Sequence, residues 1–139
     1  MQLRRPCLLL FLAAGLLCPR SAVAEHEIYY RYVVLGYVKD AKGVPRSSVE
    51  IKLLREKTGL AYYAETDAGG FYLIVVRLED LDLGNRLRVT ADGVTTTIRA
   101  KFDPKNRKDE RGTRLDFLGP KAVERSTWFA PTLKRSLAR

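Results

Sequence analysis

From Ile28 to Leu118 the apolar residues recur at every second position, not at every third or fourth. Ser48 to Arg55 is the clearest case: Val49, Ile51 and Leu53 point one way, Glu50 and Lys52 the other. A period of two belongs to a strand with one buried and one wet face. Helical periodicity is nearly absent, so the chain is committed to sheets. The same reading gives strands at 28–38, 48–55, 60–66, 71–77, 86–92, 94–102 and 112–118. Turn-forming stretches rich in Gly, Pro, Asp and Asn separate them. Phe71 to Arg77 is apolar on both faces, which predicts a central strand covered twice. Seven short strands at this spacing predict an all-β fold: a seven-stranded antiparallel Greek-key β-sandwich.

The chain ahead of the first strand has a different character. Arg4 and Arg5 precede an apolar run from Cys7 to Cys18, and Ala22-Val23-Ala24 is an A-x-A cleavage site. This order is that of a secretory signal peptide over residues 1–24, cleaved after Ala24. The run is too short for a membrane-spanning helix, so no transmembrane anchor is expected. Leu17 stands where a lipobox needs a small residue, which argues against lipidation of Cys18. The expected location is the periplasm or the outside of the cell. Cleavage removes both cysteines, so the mature chain must rely on an apolar core, not on disulfides. Residues 25–118 are read as one β-sandwich domain and residues 119–139 as a basic C-terminal tail.

Charge is unevenly placed, and the basicity belongs to the C-terminal third of the chain. The net charge is +9, and loss of Arg4, Arg5 and Arg20 lowers it to +6. Residues 25–98 hold 10 basic and 11 acidic groups, whereas residues 99–139 hold 12 basic and five acidic ones. Such asymmetry suits an anionic partner or a solvated tail.

One stretch has a recognisable pattern. Gly36, Val38, Asp40, Gly43 and Pro45 are followed by Val49 and Ile51, then by Thr66, Asp67, Gly70 and Phe71. In order and spacing this resembles the carboxypeptidase regulatory-like domain of the transthyretin-like fold, over about residues 33–100. The resemblance implies the sandwich but not a role, because such folds host many functions. The anchors also have a physical reading. Asp40 and Asp67 can close Asx-turns by accepting backbone N–H bonds, Gly70 can supply a positive φ, and Gly36 allows close approach of a neighbouring strand. Phe71 is expected to plug the end of the sandwich.

Catalytic constellations are missing. Hydroxyisourate hydrolases of the transthyretin-like group use more than one His and end in Tyr-Arg-Gly-Ser. Intradiol dioxygenases resemble this fold in their core and need two Tyr and two His for iron. This chain has one His, His26, and ends Ser-Leu-Ala-Arg. Ser47, Ser48, Ser126 and Ser136 lack a nucleophile-elbow context, and no phosphate-binding Gly loop is present. Glu79, Asp80 and Asp82 form an acidic loop without the spacing of a calcium site. The expectation is a chain that is not an enzyme and has no cofactor and no metal.

A binding role is then the leading expectation: an exported module for protein–protein or envelope binding, or for structural support. The tail carries the candidate contact residues Trp128 and Phe129, with Arg125, Lys134 and Arg135 around them. Trp is favoured at interfaces and the cations favour an acidic protein partner in the envelope or outside the cell. Export argues against nucleic acid. The alternative is a carrier or sensor for a carbohydrate or other small ligand, using Tyr29, Tyr30, Tyr32, Tyr37, Tyr62, Tyr63 and Tyr72 as an aromatic face. The exported protein is expected to begin at Glu25 when its N-terminus is determined by mass spectrometry. A lipid-modified Cys18 or an uncut leader would overturn the signal assignment.

Overall fold

A computed structural model describes residues 30–139. The signal segment, Cys18, His26 and Tyr29 lie outside the described residues.

Strands β1 (Arg31–Lys39), β2 (Glu50–Arg55), β3 (Ala61–Glu65), β4 (Phe71–Arg77), β5 (Arg86–Ala91), β6 (Val94–Arg99), β7 (Arg111–Leu118) and β8 (Lys121–Glu124) are followed by one helix, α1 (Phe129–Leu137). The strands form two four-stranded sheets, β4-β1-β7-β8 and β3-β2-β5-β6. The all-β sandwich is thus observed, but with eight strands rather than seven. The extra strand arises because Gly119-Pro120 does not end the sheet. It is a tight turn, with Gly119 at φ +57°, that lets Leu118 pair with Lys121. The pairing is not wholly antiparallel either, since β1 and β7 run parallel.

The alternation seen in the sequence becomes a core between the sheets. Tyr32, Val34 and Val38 from β1 meet Ile51 and Leu53 from β2, Ile74 and Val76 from β4, Leu87 and Val89 from β5, and Leu115 and Phe117 from β7. Two tyrosines lie inside it. Tyr72 is 1% exposed and its hydroxyl donates to the Leu115 carbonyl at 2.6 Å. Burial holds that hydroxyl well above its ordinary pKa, and burial likewise pushes the Tyr32 hydroxyl up to about 12. Both rings are therefore neutral structural elements.

The doubly buried strand is β1, where Tyr32, Val33, Val34 and Leu35 are all buried. It lies between β4 and β7, with the second sheet on one face and α1 on the other. The strand expected to be central, β4, is at an edge. Its outer face is apolar because Phe71 and Leu73 pack beside Val33, Leu35, Phe129 and Leu133 under the helix. Phe71 therefore belongs to this second apolar layer and does not plug the sandwich end. An apolar outer face has the same residue pattern whether a sheet or a helix covers it.

Helix α1 reads weakly in sequence. It is nine residues long and contains Pro131, which is tolerated in a first turn. Its buried residues are Phe129, Thr132 and Leu133, one face of a 3.6-residue period. Phe129 rests on Gly112 of β7, where any Cβ would lie 2.6 Å from the Phe ring and would also collide with the Val33 carbonyl. Truncation of this ring, Phe129→Ala, should cost about 3–5 kcal/mol in a denaturant melt. A change below about 1 kcal/mol would mean that the helix does not seal this layer.

Candidate functional site

The motif residues meet at one end of the sandwich. Asp40 Oδ1 accepts from the backbone N–H of Lys42 at 2.8 Å and of Val44 at 2.9 Å, and Gly43 N donates to the Asp40 carbonyl. Pro45 then bridges back to Lys39. Asp67 Oδ1 accepts from Gly69 N at 2.8 Å and from Phe71 N at 2.9 Å. Gly70 closes that turn at φ +77°, with no room for a side chain beneath the Val38 carbonyl.

The two turns are stitched together. Val38 N donates to the Gly70 carbonyl, and the Val38 carbonyl accepts from Arg46 N. Thr66, 4% exposed, donates from Oγ1 to the Arg46 carbonyl at 2.7 Å and accepts from Val49 N at 2.9 Å. Gly36 packs against the Leu115 carbonyl of β7 with no space for a Cβ. These residues make a backbone clasp. Their donors and acceptors are spent on the chain itself.

The tail is arranged differently. Residues 121–139 form β8, a single 3-10 turn at Ser126–Trp128, and α1. They are held by a carboxylate that sequence reading did not single out. Asp116, on the outer face of β7, is 2% exposed. Arg114 Nε donates to both of its oxygens at 3.1 Å, and Arg114 Nη2 reaches Oδ2 at 3.0 Å. Tyr37 N donates to Oδ1 at 3.0 Å, and Arg125 Nη1 lies 3.6 Å from Oδ2. Arg114 also donates from Nη1 to Thr132 Oγ1 of α1 at 3.0 Å, and Thr132 donates to the Trp128 carbonyl at 2.6 Å. Sheet, turn and helix are thereby joined through one buried anion.

Of the candidate contact residues, Phe129 is 6% exposed and occupied by packing, so it is not available to a partner. Helical geometry turns one of two adjacent aromatic residues inward and leaves the other out. Trp128 is 51% exposed. The guanidinium groups of Arg114 and Arg125 lie 5.2 Å and 5.0 Å from its ring centroid. Each such contact is worth about 0.5–1 kcal/mol at an exposed site and limits the ring's freedom. Lys134 and Arg135 are exposed on α1. The result is a basic ledge with a fixed, accessible indole. At the far end of the helix, Arg139 lies 3.9 Å from Asp67 Oδ2 and over the Phe71 ring, linking ledge and clasp.

Among the described residues the tyrosines do not form one exposed aromatic face. Tyr32 and Tyr72 are core residues, Tyr37 lies beneath Arg114, and Tyr62 packs on the core from β3. Tyr63 is exposed on the outer side of β3, while Tyr30 lines a cleft at the loop end. That cleft, about 490 Å³, is shared with Glu79, Asp80, Leu81 and Arg107. Its carboxylates are engaged. Arg111 donates to Asp80 at 2.9 Å and Arg107 at 2.6 Å, and the Arg111 hydrogen bond holds that carboxyl below its ordinary pKa. Asp82 caps the turn by accepting from Glu79 N and pairs with Arg55 at 3.2 Å. No helix among the described residues is long and apolar enough to cross a membrane.

No protein-family model matches the chain, and no curated protein matches it in sequence. Among solved structures it is similar to the dioxygenase domain of a dioxygenase–carbohydrate-binding protein fusion from Streptomyces sp. SirexAA-E. The identity is 16% and the TM-score 0.47, over 69% of this chain and 83% of that one. It is also similar to chlorocatechol 1,2-dioxygenase from Pseudomonas putida, at 14% identity and TM-score 0.44, over 68% of this chain and 62% of the other. For catechol 1,2-dioxygenase from Acinetobacter sp. ADP1 the values are 16%, 0.38, 62% and 43%. The chain spans less than two thirds of the length of these last two enzymes.

These likenesses correct the expectation that the chain is not an enzyme. The absence of a catalytic motif among neighbouring residues does not by itself exclude catalysis. Sites are assembled by tertiary structure, not by adjacency. At 14–16% identity the likeness concerns the fold alone and transfers no activity to this chain.

Asp116→Ala should cost about 3–5 kcal/mol, because it leaves Arg114 partly buried without its counter-ion. The same change should raise the solvent accessibility of Trp128, measured by acrylamide quenching of its fluorescence. Unchanged stability and quenching would show that the ledge is held by apolar packing alone.

Proposed function

We propose that this chain is an exported docking module on a carboxypeptidase regulatory-like, transthyretin-like sandwich. It meets an acidic partner protein, in the periplasm or outside the cell, through the Trp128 ledge. One observation carries this reading. Trp128 is half exposed while every element around it is pinned, from the Arg114 and Arg125 guanidiniums to the buried Asp116. An indole held in one place by two guanidiniums has little conformational entropy to lose on binding, and such residues dominate interface energies. Arg125, Lys134 and Arg135 add attraction for an acidic surface and speed encounter with it.

Support from the body is mechanical. The clasp of Asp40, Thr66 and Asp67 closes one end of the frame, and α1 lies across β1, β4 and β7. Removal of the tail would bare the layer of Val33, Leu35, Phe71 and Leu73. Point variants are therefore a better probe of the ledge than truncation.

The test compares mature wild-type protein with Trp128→Ala and with Arg125→Gln/Arg135→Gln as baits in envelope extract at low and high salt. An acidic partner is expected to bind wild type, to weaken about thirtyfold or more with Trp128→Ala, and to weaken with salt. Thermal stability of the Trp128 variant should fall by no more than about 2 kcal/mol, since half of the ring is already in water and each of its two cation contacts is worth about 0.5–1 kcal/mol. The same partner captured equally by Trp128→Ala would place the interface elsewhere.

A further inference from the structure

The outer face of the β3-β2-β5-β6 sheet carries no covering layer among the described residues. Strand register arranges its outward side chains in rows. Tyr63, Lys52, Thr90 and Thr95 lie side by side across the four strands, and Ala61, Leu54, Arg88 and Thr97 form the next row. Arg86 and Arg99 stand opposite each other in the third. All of the cations in these rows are exposed.

Charge is concentrated there. Lys52, Arg86, Arg88 and Arg99 share the face with three carboxylates, of which Glu56 is bonded to Arg86 at 3.2 Å and Arg88 at 3.0 Å. Glu50 and Glu65 stand opposite each other in the row next to Lys52 and Tyr63, so the excess positive charge is confined to the rows from Lys52 to Arg99. Lys52 has no ion-pair partner among the described residues, and Arg99 bonds a backbone carbonyl, that of Gly84 at 3.3 Å. Like charges directly opposite on neighbouring strands, as Arg86 and Arg99 are, destabilise a sheet. Glu56 offsets Arg86 and Arg88, which leaves Lys52 and Arg99 without a carboxylate partner among the described residues. Between the rows lies a shallow basin of about 440 Å³ lined by Lys52, Leu54, Arg88, Thr90 and Thr95.

We propose that this face binds an acidic polysaccharide, a chain of sugars bearing carboxylate or sulfate groups. The match is one of charge and of hydroxyl chemistry. Guanidinium forks suit carboxylate and sulfate oxygens. The Thr90 and Thr95 hydroxyls, hydrogen-bonded to each other at 2.9 Å, keep one free donor and spare acceptor lone pairs, and Thr97 beside them adds a third hydroxyl for sugar hydroxyls to meet. Tyr63, exposed next to Lys52, gives an apolar ring face at the end of the row. Four strands about 4.8 Å apart set a flat platform roughly 14 Å wide, open to a polymer laid across it. A single-stranded nucleic acid needs a series of stacking rings, and these rows hold one. An acidic peptide needs apolar anchors, and Leu54 is already half-buried. The face lies on the opposite side of the sandwich from the Trp128 ledge, so the two surfaces can be occupied together.

Affinity of the full mature chain would be measured for heparin as the sulfated probe and polygalacturonate as the carboxylated one. Neutral dextran, oligo-dT and polyglutamate serve as comparisons. Wild type is expected to bind at least one of the two polysaccharides more tightly than the comparisons. Lys52→Gln/Arg88→Gln should weaken that binding about tenfold or more, while Lys134→Gln/Arg135→Gln, which removes equal charge from the ledge, should change it about twofold or less. If the first double variant melts lower than wild type, Lys52→Gln alone applies the same test at an unpaired side chain. Equal losses from the two double variants would reduce the effect to net charge and overturn the proposal. So would failure to bind either polysaccharide, or equal or tighter binding of oligo-dT or polyglutamate.

Discussion

The buried carboxylate of Asp116 links parts of the molecule that would otherwise have little reason to stay together. It lies on the outer face of β7, away from the apolar core, where a charge can persist only with partners close at hand. Arg114 and the Tyr37 amide bond it directly and Arg125 stands close by, and through Arg114 it reaches Thr132 of the helix. The helix in turn supplies Phe129 and Leu133 to seal the outer side of β1 and β4. One anion thus couples the position of Trp128 to the integrity of the second apolar layer. Anything that displaces the ledge also uncovers that layer.

This coupling explains why the two faces of the sandwich differ. One sheet is covered by α1 and is apolar beneath it, with polar and aromatic groups at its rim. The other is open and carries its cations in rows beside threonine hydroxyls. The body of the chain is close to neutral by count, and opposite charges are mixed in space. Asp80 and Asp82 are held in their loop by Arg107, Arg111 and Arg55, while Lys52, Arg86, Arg88 and Arg99 share the open sheet with Glu50, Glu56 and Glu65.

Much of the architecture was legible from period and punctuation. Phe71–Arg77 was bounded correctly, and the other strands fell within a few residues of their expected limits. The turn residues Asp40 and Asp67 make local bonds of the kind their side chains favour, because an Asx-turn needs nothing beyond its own few residues. What failed was of another kind. The parallel pairing of β1 with β7, the edge position of β4, and the placement of Phe71 and Phe129 under one helix all depend on contacts between distant segments. The tyrosines show the same limit: period predicts which side of a strand a ring takes, not whether a second layer will cover that side.

By itself, the sequence determined that this chain builds strands, where most of them turn, and which side chains point to which side of each strand. These properties follow from a two-residue period and from local turn bonds, both of which act within a few residues. Tertiary structure alone decided which outward sides would be covered and which left open. It buried Asp116 and Phe129, left Trp128 at the surface beside two guanidiniums, and brought Lys52, Arg88 and Arg99 from three strands onto one face. Strand order and register set those neighbours, and both are fixed only when the sheets and the helix pack together.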